Sequence, residues 1–231
     1  MSSTPLPTNA AQTAAAIAAR PDLQKFLSRV DPVRGQLIFA LDATASRQPT
    51  WDLAAHLQGT MFETVAAAGG LDVQIVYYRG SECVASRWFS DPRSLSAVMR
   101  RVTCAAGITQ IKKVLLHARK EHARQKVNAL IFVGDAVEEL PIELYSQARE
   151  LGDLKCFLFQ EGADPHVSEV FAELARLTGG ASCKFDTGAA QQLSDLLKAV
   201  AAFAVGGAKL LASQKNEAAT LLLTQMKKSG H

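Results

Sequence analysis

Four short apolar runs constrain this chain more than any other feature. LIFAL (37–41), DVQIVYYR (72–79), VNALIFV (127–133) and KCFLFQ (155–160) are nearly continuous in apolar residues rather than alternating apolar with polar. Such runs read as strands buried on both faces. Helical patterns stand between them: 51–68, closed by Gly69-Gly70; a helix opened by Asp91-Pro92 and reaching about Val102; a basic helix from Thr109 to about Gln125. Further helices follow at 141–151, closed by Gly152, and at 165–177, closed by Gly179-Gly180. Strands alternating with helices predict an α/β fold, a doubly wound, mostly parallel sheet with helices on both sides. Gly80-Ser81-Glu82 is a tight turn into Cys83–Phe89, which predicts one antiparallel edge strand. A short strand at 182–185 and a helix at 187–205 complete a domain over 36–205.

Two extensions flank that domain. Residues 1–35 form an N-terminal arm, Pro/Thr/Ser/Asn-rich and disordered over 1–13, then helical over 14–30, until Asp31-Pro32 breaks it. At the other end Gly206-Gly207 breaks the chain before a last helix over 209–228. That C-terminal helical extension (206–231) carries Leu210, Leu211, Ala218, Leu222 and Met226 in one stripe. The stripe is read as packing on the domain, with an oligomer or partner helix as the alternative.

Charge narrows the function classes. The ends are basic, +2 over 1–36 and +3 over 206–231, while 37–205 carries −2. A nucleic-acid footprint needs a dense basic face, and this distribution does not supply one. The N-terminus lacks the basic start and Leu-rich core of a secretory signal. The longest weakly polar run, 199–208, is too short to span a bilayer. Cys83, Cys104, Cys156 and Cys183 are scattered and read as buried, reduced thiols. The expectation is a soluble cytoplasmic protein that binds neither nucleic acid nor membrane.

In open α/β sheets ligand-binding groups gather beyond the carboxyl ends of the strands. There this sequence places Asp42, Thr44 and Ser46 after the first strand, Thr109 at a helix start and Asp135 after the strand VNALIFV. Alternate residues of an extended loop point the same way, so 42, 44 and 46 can converge. All five side chains offer hard oxygen, the donor type preferred by Mg²⁺ or Mn²⁺ at about 2.1 Å for Mg²⁺. Ca²⁺ takes the same donors.

On these residues the chain resembles the von Willebrand factor A-type (VWA) domain, over about Gln36 to Val205. The family's metal-ion-dependent adhesion site (MIDAS) is Asp-x-Ser-x-Ser, a Thr in a later loop and an Asp after a later strand. Asp42-Ala-Thr44-Ala-Ser46, Thr109 and Asp135 match it. The late segment from Phe171 to Gly180 also fits. The resemblance implies direct metal ligation by Thr44 and Ser46, with Asp42 and Asp135 acting largely through water or hydrogen bonds. It implies that Thr109 joins when a ligand engages, and that one position stays open for the Asp or Glu carboxylate of a protein partner. Bacterial relatives often work beside AAA+ ATPases, which makes such an enzyme the expected kind of partner. The chain departs from the family pattern at Ile108 and Ala136, where relatives usually carry glycine; both departures weaken the expected metal affinity.

The competing readings are enzymatic or structural. A phosphohydrolase with Asp42 as nucleophile needs a second carboxylate two residues on, and position 44 is Thr. No G-x-S-x-G and no P-loop is present. A metal-dependent phosphohydrolase and a scaffold subunit with a vestigial site remain the alternatives to a non-enzymatic binding module. His56, His117 and His122 read as packed or exposed helix residues. Lys112, Lys113, Arg119, Lys120, Arg124 and Lys126 read as a solvated basic face, with an acidic partner as the alternative. Trp51 is read either as core or as rim of the site. Glu138 and Glu139 are read as exposed loop acids able to shape its negative field.

Overall fold

The structure is a computed structural model that describes residues 34–44, 48–65, 70–186 and 189–229. Ser46 and the helix expected over 14–30 lie outside them. Among the described residues six strands form one sheet: β1 (Gly35–Asp42), β2 (Leu71–Arg79), β3 (Glu82–Phe89), β4 (Ala129–Gly134), β5 (Lys155–Glu161) and β6 (Ala181–Phe185). Their order is β3-β2-β1-β4-β5-β6, with every pairing parallel except β2–β3. The described helices are α1 (Gln48–Val65), α2 (Pro92–Met99), α3 (Ile111–Arg124), α4 (Pro141–Arg149), α5 (Pro165–Thr178), α6 (Ala190–Ser213) and α7 (Glu217–Ser229).

The continuous apolar runs feed two cores. Leu37, Phe39 and Leu41 of β1 join Ile131 and Phe157 beneath α1, α2, α6 and α7. Ile38 and Ala40 point the other way, joining Tyr78, Phe132 and Leu158 beneath α3, α4 and α5. A two-residue period with both faces covered removes the polar alternation that a half-exposed strand would show.

Helix ends follow local chemistry. Asp91 accepts from Ser94 N–H at 2.8 Å and Asp164 from His166 N–H at 2.8 Å, each just before a proline in the first turn. α2 stops at Met99, short of the expected Val102, as Arg101 and Val102 N–H groups bond three residues back and tighten the turn. Gly206-Gly207 interrupts the helix as expected. Gly207 (φ 62°, ψ −158°) leaves helical geometry, so two helical stretches meet at a kink inside α6, and a second break, not expected from the sequence, falls at 214–216, where Lys215 takes φ 48°. α6 is long and apolar enough to cross a membrane by composition, but it packs along α1 and β1. α7 lies on β6 and α5, with Ala219 and Leu222 buried, and Gln225 accepts from the edge N–H of Ser182 at 2.9 Å.

The basic face of α3 is solvated as expected: Lys113, Lys120, Arg124 and Lys126 are exposed, and its ion pairs lie on the surface. Lys112 pairs with Glu143 at 2.8 Å, Arg119 with Glu150, and Lys126 with Asp153 at 3.2 Å. Trp51 belongs to the core: it donates to the Met99 carbonyl at 2.9 Å and meets Tyr77 edge-on. All four cysteines are free; Cys156 and Cys183 are buried, and desolvation pushes both thiols up to about 12. Cys83, on the edge strand β3, and Cys104, in the loop after α2, are only half-buried, short of the expected burial.

Candidate metal-binding cleft

The chain runs from β1 outward to β2 and returns on the other side of β1 as β4, so the direction of winding switches between β1 and β4. A crevice opens at such a switch, beyond the carboxyl ends of the two strands. Leu41 is paired with Val133 across it, which sets Asp42 and Asp135 at neighbouring strand ends. Asp42 is only 3% exposed, and its Oδ1 accepts from the Thr44 N–H at 2.7 Å. That bond turns the loop immediately after the strand and holds Thr44 at the cleft. The Ala43 N–H donates to Tyr78 O at 3.0 Å, anchoring the same turn to β2.

The loop before α3 is fastened from below. Ala105 N–H donates to Ala43 O at 3.0 Å, and the Gln110 side chain donates to Gly80 O at 2.9 Å. Gly107 packs so tightly on the β2–β3 turn that a Cβ there would lie 2.3 Å from Gly80 N. No other residue fits without displacing the loop. Position 107 is thus glycine for close approach, whereas its neighbour Ile108 stands out in solvent.

Thr109 is clamped from the β4–α4 loop. Its N–H donates to Glu138 Oε2 at 2.6 Å, and its Oγ1 accepts from the Glu138 N–H at 2.9 Å. Its hydroxyl donates to Glu139 Oε2 at 3.1 Å. Glu139 also accepts from Ile111 N–H at 3.0 Å and Lys112 N–H at 2.8 Å, the free donors of α3's first turn. α3 therefore begins at Ile111 rather than Thr109. Read from sequence as plain loop acids, Glu138 and Glu139 instead join the two loops that complete the cleft. Nothing in their spacing signals this, because both partners lie about 30 residues upstream.

Asp42, Thr44, Thr109 and Asp135 line one open cleft of about 300 Å³, together with Ala106, Gly107, Ala136 and Glu138. Four of the five expected donors are thus brought together, and Ser46 is outside the described residues. Among the described lining residues there are three acids and no base. Behind them Tyr78 is fully buried, its hydroxyl facing the Asp42 carboxylate. Burial first, then the Asp42, Glu139 and Asp135 charges, hold its phenol well above the ordinary tyrosine range.

Among the described residues no three His, Cys, Asp or Glu side chains converge closely enough to hold an ion by themselves. Any cation here depends on the hydroxyls of Thr44 and Thr109 and on water as well as on the two aspartates. That donor set is all hard oxygen and suits Mg²⁺, Mn²⁺ or Ca²⁺. Thr50 and Glu161, buried and hydrogen-bonded to each other, tie the first turn of α1 to the end of β5.

No family model matches the sequence, and no curated protein does. Solved structures match by shape. The VWA domain of SpRpn10 superposes with a TM-score of 0.57 at 8% identity, over 71% of this chain and 95% of that one. BatB, a conserved hypothetical protein from Bacteroides thetaiotaomicron, gives 0.53 at 18% identity, over 69% and 95%. The vWF domain of the type V pili tip protein Mfa5 from Porphyromonas gingivalis gives 0.53 at 10%, over 73% and 95%. The chain has the VWA fold.

Proposed function

We propose that this VWA-fold chain is a cytoplasmic, metal-dependent protein-interaction module. Asp42, Thr44, Ser46, Thr109 and Asp135 would hold Mg²⁺, or Mn²⁺ or Ca²⁺ in its place. Bound there, the cation supplies a Lewis-acidic position for the Asp or Glu carboxylate of a protein partner, for which an AAA+ ATPase is one candidate. The observation that supports this reading is the convergence of oxygen donors from three separate loops on one acidic cleft at the winding switch. The chain's own part is positional. Asp42 sets Thr44 through the backbone, while Glu138 and Glu139 hold Thr109 at the rim. The second position of the motif is a hydroxyl, so Asp42 has no adjacent carboxylate to shuttle protons, and binding is favoured over turnover.

Affinity capture from a lysate of the source cell tests this, with and without a chelator. Asp42→Asn is the informative variant: it keeps an oxygen to accept from Thr44 N–H and removes the charge. The expected result is capture of a partner that EDTA releases and that Asp42→Asn loses by about tenfold or more. Capture indifferent to both EDTA and Asp42→Asn would contradict the proposal.

A further inference from the structure

Scattered exposed apolar side chains are normal, so what counts is where they gather. Among the described residues the exposed large hydrophobics are Ile108 (63%), Leu140 (65%), Ile142 (66%) and Leu221 (45%). Leu221 lies on α7. The other three bracket the Thr109 clamp: Ile108 precedes Thr109, and Leu140 and Ile142 follow Glu139 into the first turn of α4. Leu140 stands at the N-cap of α4, where its side chain makes no capping bond.

A second shallow cleft adjoins the acidic one and shares Thr109 with it. Its lining includes Ile108, Gly80, Lys112, Lys113 and Glu139. The charges at this rim are of both signs, but they are differently committed. The Glu139 carboxylate is spent on the α3 N-terminus. Lys112 pairs with Glu143 only across the surface, and Lys113 reaches only the Ser81 carbonyl. Exposed pairs of that kind exchange readily for another partner.

Resting on the reading of the acidic cleft as a cation site, we infer that its partner is an acidic peptide segment with apolar residues beside the engaged carboxylate. The carboxylate meets the cation. The flanking apolar side chains cover Ile108, Leu140 and Ile142, and following acids meet Lys112 and Lys113. Apolar burial then supplies affinity, and the carboxylate supplies metal dependence.

The probes are two fluorescein-labelled peptides, Leu-Asp-Leu-Glu-Glu and Ser-Asp-Ser-Glu-Glu, followed by anisotropy with the full chain in Mg²⁺. The Leu-flanked peptide is expected to bind about tenfold tighter, with EDTA abolishing both. The double substitution Ile108→Ser/Leu140→Ser removes that preference, leaving the Ser-flanked affinity and the heat of Mn²⁺ binding unchanged. Equal binding of the two peptides, a preference that survives the double substitution, or no binding of the Leu-flanked peptide at about 1 mM by a chain that binds Mn²⁺, overturns this inference alone. Peptide binding indifferent to EDTA, or a chain that gives no heat with Mn²⁺, overturns the cation site beneath it.

Discussion

Gly180→Ala is expected to destabilise the fold by about 3 kcal/mol, the upper end for overpacking a rigid site. A Cβ at this position would lie 1.8 Å from Cys156 O, 2.7 Å from Cys156 C and 2.9 Å from Cys156 N. All three atoms are backbone of β5, an interior strand paired with β4 and β6, so no side-chain rotation can relieve the clash. The Gly180 N–H is also fixed, donating to Ala175 O at 2.9 Å as α5 ends. The neighbouring glycine is a sharp control. Gly179 takes φ 64° and would bring its Cβ only against the flexible Lys155 side chain, so Gly179→Ala costs roughly 1 kcal/mol. Urea unfolding of the two variants checks the order. Equal losses would mean that the approach of β5 to the end of α5 is not as tight as described.

Glu139→Ala is expected to cost about 2 kcal/mol and to loosen the start of α3. One carboxylate there serves three donors: Ile111 N–H, Lys112 N–H and the Thr109 hydroxyl. The residue before the helix, Gln110, makes no capping bond of its own, so the cap comes from another loop. Negative charge also opposes the positive end of the helix dipole. Partial exposure tempers the figure, which is why it stays below the sum of three charge-assisted bonds. Glu139→Gln keeps an acceptor and loses the charge, so it should fall between. Hydrogen exchange should quicken at Ile111 and Lys112 in Glu139→Ala and stay slow in the strands. A change within about 0.5 kcal/mol, with exchange unaltered, would show that the clamp is idle.

Much of this fold is legible in the residues. The continuous runs of β1, β4 and β5 dictate strands covered on both sides, and the Gly80 turn dictates the antiparallel edge. Capping residues mark the start of α2 and α5 within a residue or so. Less legible were features that depend on a distant partner. Gly206-Gly207 does interrupt the helix, but the second break, at Lys215 with φ 48°, carries no glycine or proline to announce it. Gly179 and Gly180 look alike in sequence, yet one supplies a left-handed turn and the other a close approach. The cleft followed the same rule. Asp42, Thr44, Thr109 and Asp135 could be found by asking what lies at strand ends. Glu138 and Glu139 could not, because their work is to bridge two loops. Ile108, seen from sequence as a departure from a family pattern, stands exposed beside the Thr109 clamp.

The central claim is that the cleft between β1 and β4 holds a divalent cation through Asp42. Calorimetric titration of Mn²⁺ into the full chain and into Asp42→Asn tests it most directly. The wild-type chain should give a saturable one-site heat, and about 100 Kd equivalents of Mn²⁺ should stabilise it by about 2.7 kcal/mol. Asp42→Asn should fold normally and lose that heat. No saturable heat from the wild type, or an equal heat from both chains, would contradict the account.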